Sequence, residues 1–505
     1  MHTKSRILLA LVFLFSRPST AQEAHDHKAP EKLGEVSFLI SCDPTNPFVQ
    51  QEFNRGVALL HSFAYTAAEK SFQAVAERDP HCAMAHWGIA MTHYHQLWEP
   101  ALSPATVSLA AQEIQRAQQI GTDSQRERAF INALAFIFQD ASSVPYRTRA
   151  LNYEHAMSDL AAQNKNDVEA QVFYALALLA NLAPTDKTHQ NQKQAFDLLE
   201  PLYRTYPQHP GIPHYIIHAC DNAELATRGL PAARAYAKIA PSAPHALHMP
   251  SHIFTRLGLW DDSIASNIAA RSAAHQQGDT GEELHAMDYL EYAYLQSGRD
   301  QDAAQVVQQL KEMSTLNAKD FKTGYASTAI PVRYAVERRQ WAEAINIVPP
   351  AAAPPQVVAV AVWARGLGFA RTGHTAEARK ETDKLSLIQE QLRSSGNDYW
   401  ATQVRIMMRE VLAWSAQSDK KAEEATTLMR ETADEEDGIE KLPVTPGPIV
   451  PAREQLGELL LELNHPDLAS KEFQTALANA PGRRGALQGA VHATQALYPT
   501  AGATN

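Results

Sequence analysis

The sequence predicts an all-α fold, an α-solenoid of stacked helix-turn-helix repeats, and three observations carry that prediction. From Phe48 almost to the C-terminus the chain runs in short amphipathic segments rich in Ala, Leu and Gln, broken by Pro, Gly and Asp. No sustained alternation of Val, Ile and Thr interrupts them, so β-structure is minor or absent. Similar hairpins recur along the chain, each too small to bury its own apolar face, so stacking must hold the fold together.

The elements follow in order. Residues 1–21 have a basic start (Lys4, Arg6), an apolar core from Ile7 to Phe15, and Ser19 and Ala21 before a cleavage point. That pattern is a secretory signal peptide, too short to span a membrane. It implies an exported protein, periplasmic or extracellular, with no membrane span elsewhere. Residues 22–45 open with a polar stretch, "QEAHDHKAPEKLG", and are expected to form a disordered leader. The solenoid is expected over 46–495, with a flexible tail at 496–505. Pro443, Pro446, Pro448 and Pro451 exclude helix from 438–451, which reads as a loop crossing the solenoid or plugging its groove.

Within the solenoid, the stretch "FNRGVALLHSFAYTAAEKSFQAVAERDP" (53–80) places Gly56, Tyr65, Ala68, Phe72 and Pro80 at telling intervals. Its pattern resembles the tetratricopeptide repeat (TPR): Gly at the eighth position, A-x-x-x-F in the second helix, Pro closing the unit. Small residues at those places let two helices touch, and Phe fills the gap between hairpins. "AREQLGELLLELNHPDLASKEFQTALANAP" (452–481) repeats the spacing at Ala469 and Phe473. The pattern is degenerate between about 100 and 165 and from 400 to 450. "HPGIPHYIIHACD", "APHALHMPSHIFTRLGLWDDSIASN" and "PGRRGALQGA" are similar to a group of exported bacterial TPR proteins. That resemblance implies the fold and a scaffold role, binding a protein or peptide partner.

Composition narrows the function classes. Net charge is −11 with 45 Lys and Arg against 56 Asp and Glu, which offers no basic groove for nucleic acid. Motifs for zincin, serine-hydrolase, P-loop and Rossmann chemistry are absent. Of three cysteines, Cys42 precedes the first hairpin and Cys82 opens the second, making them the candidate disulfide; Cys220 is left over. Such a bond would add roughly 3–5 kcal/mol in the loop-entropy picture.

The central repeats, 207–295, hold the main candidate site. Pro207 and Pro241, Pro210 and Pro244, His214 and His248, and His218 and His252 all coincide at an offset of 34. Each histidine pair is spaced i, i+4, which projects both rings from one helix face, a common zinc-ligand arrangement. Pro250 lies inside the second pair and is expected to kink or restart its helix. His245, His285, Asp221 and Asp288 complete the candidate metal ligands, with Zn or Cu the natural ions for imidazole. A metal-dependent, hydrolase-like enzyme using the 214–291 region, with Asp221, Asp288 or Glu291 as acid or base, is the alternative function. A network of hydrogen-bonded core histidines is the alternative to any metal. His61 and His95, also 34 apart, fall at a groove-lining position with Trp87, Tyr94 and Trp98 nearby, and His61, His95 and Trp98 are weaker candidates for partner binding.

Overall fold

The computed structural model describes residues 31–97, 102–314 and 316–498. The signal-peptide segment, leader residues 22–30, Trp98 and the tail from 499 lie outside the described residues. From Lys32 onward the chain is one compact unit. Its described residues contain helices and no strands. None of those helices is long and apolar enough to cross a membrane.

Antiparallel hairpins follow one another from Pro47–His61 with Tyr65–Arg78 to Ala452–Glu462 with Pro466–Asn479, and Arg484–Leu497 closes the array. The signature residues explain the stacking. A Cβ on Gly56 would come within 2.7 Å of the Phe72 ring, and one on Gly88 within 2.4 Å of the same ring. Phe72 is thus wedged between the first helices of two successive units, which only glycine at both places allows. Phe473 repeats this between Gly457 and Gly489, at 2.7 and 2.2 Å. Alanine at Gly56 would overpack the joint and destabilise it by about 1–3 kcal/mol.

The segments where the repeat pattern is degenerate form hairpins all the same: Gln125–Phe138 with Tyr146–Gln163, and Asp398–Ser418 with Ala422–Asp437. Their apolar period survives without the Gly and Phe marks, as buried Phe130, Ile131, Leu134, Ile137 and Phe138 show. The final helix continues to Leu497, two residues into the expected tail.

Residues 32–45 depart from the expected disordered leader. They are extended, but Leu33 and Phe38 are buried. Phe38 packs against Phe53, Trp87, Phe130 and Phe173, one ring from each of the first four hairpins. The backbone is pinned where Glu35 N–H donates to Gln208 O at 2.8 Å and Phe38 N–H to Asn54 Oδ1 at 3.1 Å. Two apolar side chains and a row of backbone hydrogen bonds overcome the entropy that polar composition alone favoured. Cys42 and Cys82 are joined in a disulfide that ties this arm to the second hairpin, while Cys220 is free and buried.

The 438–451 segment carries no helix and lies over the first helices of the central and later hairpins. Tyr289 O–H reaches Pro443 O at 3.1 Å and Thr445 O at 2.9 Å, and Lys441 Nζ donates to Asp221 Oδ2 at 2.6 Å.

Candidate metal centre

Three consecutive first helices build the centre: Gly211–Cys220, the pair Pro244–His248 and Pro250–Arg256, and Thr280–Gln296. Pro250 does break the middle one. Met249 nevertheless keeps helical dihedrals (φ −52°, ψ −35°), so the two halves stay on one axis and the i, i+4 relation survives. The consequence is visible in distances: His214 Nε2 lies 3.1 Å from His218 Nε2, and His248 Nε2 lies 3.1 Å from His252 Nε2.

A third ring joins each pair from the next unit. His214, His218 and His245 bring one nitrogen each to within 4.8 Å of one another, and so do His248, His252 and His285. All six are buried. Burial depresses the pKa of His214, His218, His248 and His285 well below the imidazole value and holds His252 down to about 4, so these rings are neutral at pH 7.

The outer nitrogens define which nitrogen carries the proton. His252 Nδ1 faces Asp221 Oδ2 at 2.9 Å, a carboxylate that only accepts. His248 Nδ1 faces Asn267 Oδ1 at 2.7 Å, and that amide's orientation is set because its Nδ2 donates to Ser263 O at 2.9 Å. Both Nδ1 atoms therefore donate, and both Nε2 atoms present lone pairs to each other across 3.1 Å. No hydrogen remains to sit between them. His214 Nδ1 likewise donates to His61 O at 2.6 Å. A hydrogen bond from His218 Nε2 to His214 would leave His218 Nδ1 bare and buried with no partner. Two imidazole nitrogens on one ion, each at about 2.0–2.1 Å, stand roughly 3–3.4 Å apart. Outer acceptors that orient a ligating ring in this way are the usual companions of histidine–metal sites.

The sequence-derived candidates divide accordingly. His214, His218, His245, His248, His252 and His285 converge. Asp221 stands behind His252 and joins neither triad; Arg256 Nε and Lys441 Nζ hold its carboxylate at 2.8 and 2.6 Å. Asp288 is turned away: its Oδ1 accepts from Arg333 Nη2 at 3.2 Å, because the buried guanidinium draws in both Asp288 and Glu291. Burial raises both carboxyls, but neither reaches the triads. Among the described residues no carboxylate joins either triad as a ligand.

His61 is fully buried, not groove-lining. Its Nε2 donates to Glu169 Oε2 at 2.8 Å and its Nδ1 accepts from Tyr215 O–H at 3.0 Å. His95 stacks on Tyr65 at 4.1 Å and donates to Thr92 O at 3.0 Å, while burial holds its pKa down to about 4. Trp87 and Tyr94 are core residues.

Sequence reasoning missed three groups. Asn267 sits on a second helix, outside any repeat offset. Glu282, whose Oε2 lies 3.2 Å from His245 Nδ1, precedes His285 by three residues and so shares its helix face. Glu169 bridges His61 and His209, accepting from His209 Nε2 at 3.0 Å. Asp167 caps the helix that carries Glu169, donor N–H groups of Glu169 and Ala170 lying 3.1 and 3.3 Å from its Oδ1.

The fold and site together define an α-solenoid of TPR-type hairpins with a doubled trihistidine core. No family profile matches the chain, and no curated protein matches its sequence. Among solved structures it is similar to the TPR domain of P58(IPK), at 13% identity over 90% of this chain and 99% of that one, TM-score 0.22. It is also similar to the Cut9–Hcn1 hetero-tetramer of the APC/C (10%, 88% and 96%, TM-score 0.30). A third is aspartyl phosphate phosphatase F from Bacillus subtilis (11%, 88% and 95%, TM-score 0.29). Likeness at this level says nothing about activity.

Proposed function

We propose that this chain is an exported TPR-type scaffold whose central repeats bind transition-metal ions, one in each trihistidine group. The observation that carries the reading is the pair of Nε2 lone pairs on His248 and His252, 3.1 Å apart with both Nδ1 protons engaged elsewhere. A metal ion between them turns a repulsive contact into two bonds. Zn and Cu are the ions such imidazole sets select. Export rests on the N-terminal pattern of residues 1–21 alone.

The test is elemental analysis of full-length protein purified without a histidine tag. About two ions per chain are expected, falling to one in His252→Ala. A folded chain that stays metal-free after dialysis against Zn and Cu salts overturns the reading.

Binding of a protein partner is a second reading, favoured by the last helix. Leu487 and Val491 stand exposed along it at helical spacing, 46% and 54% accessible, and Tyr498, just past its end, is 75% accessible. Replacing all three with serine should abolish any self-association or partner capture seen with the parent chain, without changing metal content.

A further inference from the structure

The two triads are neighbours. The ring centres of His218 and His252 are 6.0 Å apart and those of His245 and His248 6.1 Å, so each triad meets the other through two ring pairs. His245 and His248 share the short Pro244–His248 helix while serving different triads. The same plan, H-x-x-x-H from one first helix and a third ring from the next, therefore occurs twice in succession.

The charge around the two triads discriminates between ions. The donor set is six imidazoles and no carboxylate. Three carboxylates stand around it, Asp221, Glu282 and Glu440, and three cations pair with them: Arg256, 3.7 Å from Glu440 Oε2, Lys441, and Lys322, 2.6 Å from Glu282 Oε1. Three negative charges against three positive leave no surplus anion to neutralise buried metal. Two divalent ions would add four positive charges, two monovalent ions only two, and the penalty for burying charge rises steeply with its size. Three nitrogens suffice for Cu(I), whereas Zn would take a water as its fourth ligand.

Resting on the metal-binding reading above, we propose that the two triads form one binuclear copper centre that binds dioxygen between its ions. In the reduced state each triad holds one Cu(I). Dioxygen takes one electron from each: 2 Cu(I) + O2 gives 2 Cu(II) and one peroxide dianion. The two electrons lower the O–O bond from double to single without breaking it, and no proton moves. The two charges gained by the coppers equal the two carried by peroxide, so the net charge of the core is unchanged, as a buried site with no spare counter-ion requires. Arg256, Lys441 and Thr445, which surround Asp221 and Tyr289, also line a cavity of about 170 Å³.

The experiment uses the full, untagged chain, stripped of metal, loaded anaerobically with Cu(I), then exposed to oxygen. Expected are two coppers per chain, one O2 consumed per two coppers, and no electron paramagnetic resonance signal, because two bridged Cu(II) spins cancel. His218→Gln and His285→Gln should each retain one copper and lose stoichiometric oxygen uptake. Far-ultraviolet circular dichroism checks that they fold; should both unfold, the parent chain alone decides. Two coppers that take up no oxygen, or that give the full signal of isolated Cu(II), overturn the binuclear proposal and leave metal binding standing. A chain that retains no copper or zinc overturns both.

Discussion

The His248–His252–His285 group and the His61–Glu169–His209 group are alike in burial and in the closeness of their donor atoms, and they differ in what lies between the rings. In the second, a carboxylate accepts from both imidazoles and Tyr215 supplies the remaining proton, so every facing pair has one hydrogen. In the first, the acceptors stand outside, on Asp221 and Asn267, and lone pairs face inward. Closeness alone does not make a metal site; the position of the acceptors decides which nitrogen is left to bind.

The largest expected effect follows from that difference. His252→Ala should abolish the second ion, while Glu169→Gln should leave metal content untouched and lower stability by about 3 kcal/mol, since it weakens two charge-assisted hydrogen bonds. Elemental analysis beside denaturant unfolding separates the two; equal metal loss in both variants would erase the distinction. Next in size, saturating metal should stabilise the chain by about 4 kcal/mol at a thousandfold excess over Kd, read as a rise in Tm. The His252→Ala variant should show a smaller rise. Asp221→Asn should weaken metal binding by about 10–100-fold, because the outer acceptor no longer fixes the His252 ring as a donor of Nδ1–H to a charge.

Acid sharpens the contrast further. Burial pushes the Glu169 carboxyl up, but His209 and His61 outweigh it and hold the group below the usual carboxylate range. A carboxyl with a depressed folded pKa contributes stability above its unfolded value of 4.5 and loses it as pH falls through the folded value. The stability gap between the parent and Glu169→Gln should therefore stay level from about pH 7 to about pH 5 and narrow below about pH 4.5. Urea midpoints across that range check it. The smallest effect is expected at Tyr289→Phe, which removes the hydroxyl held by Pro443 O and Thr445 O. It should cost about 1 kcal/mol, with metal content unchanged.

Much of the centre was legible because repeats print their geometry onto the sequence. The offset of 34 aligned His214 with His248 and His218 with His252, and the stacking of first helices brought His245 and His285 alongside. What a repeat offset cannot express is contact between helices that break the register. Asn267 comes from a second helix, and Glu169 meets His61 and His209 across 108 and 40 residues. Asp288 was misread for a related reason: its spacing fits a ligand, but Arg333, 45 residues on, claims it. The extended arm at 32–45 was hidden by its polar neighbours, since Phe38 finds its four aromatic partners only once the solenoid has curved around it.

Anomalous diffraction from crystals of the copper- or zinc-loaded chain tests the central claim most directly. Two peaks should appear, one among the ring nitrogens of His214, His218 and His245 and one among those of His248, His252 and His285. Peaks confined to surface carboxylates, or none at either triad in a crystal grown with excess metal, would contradict it.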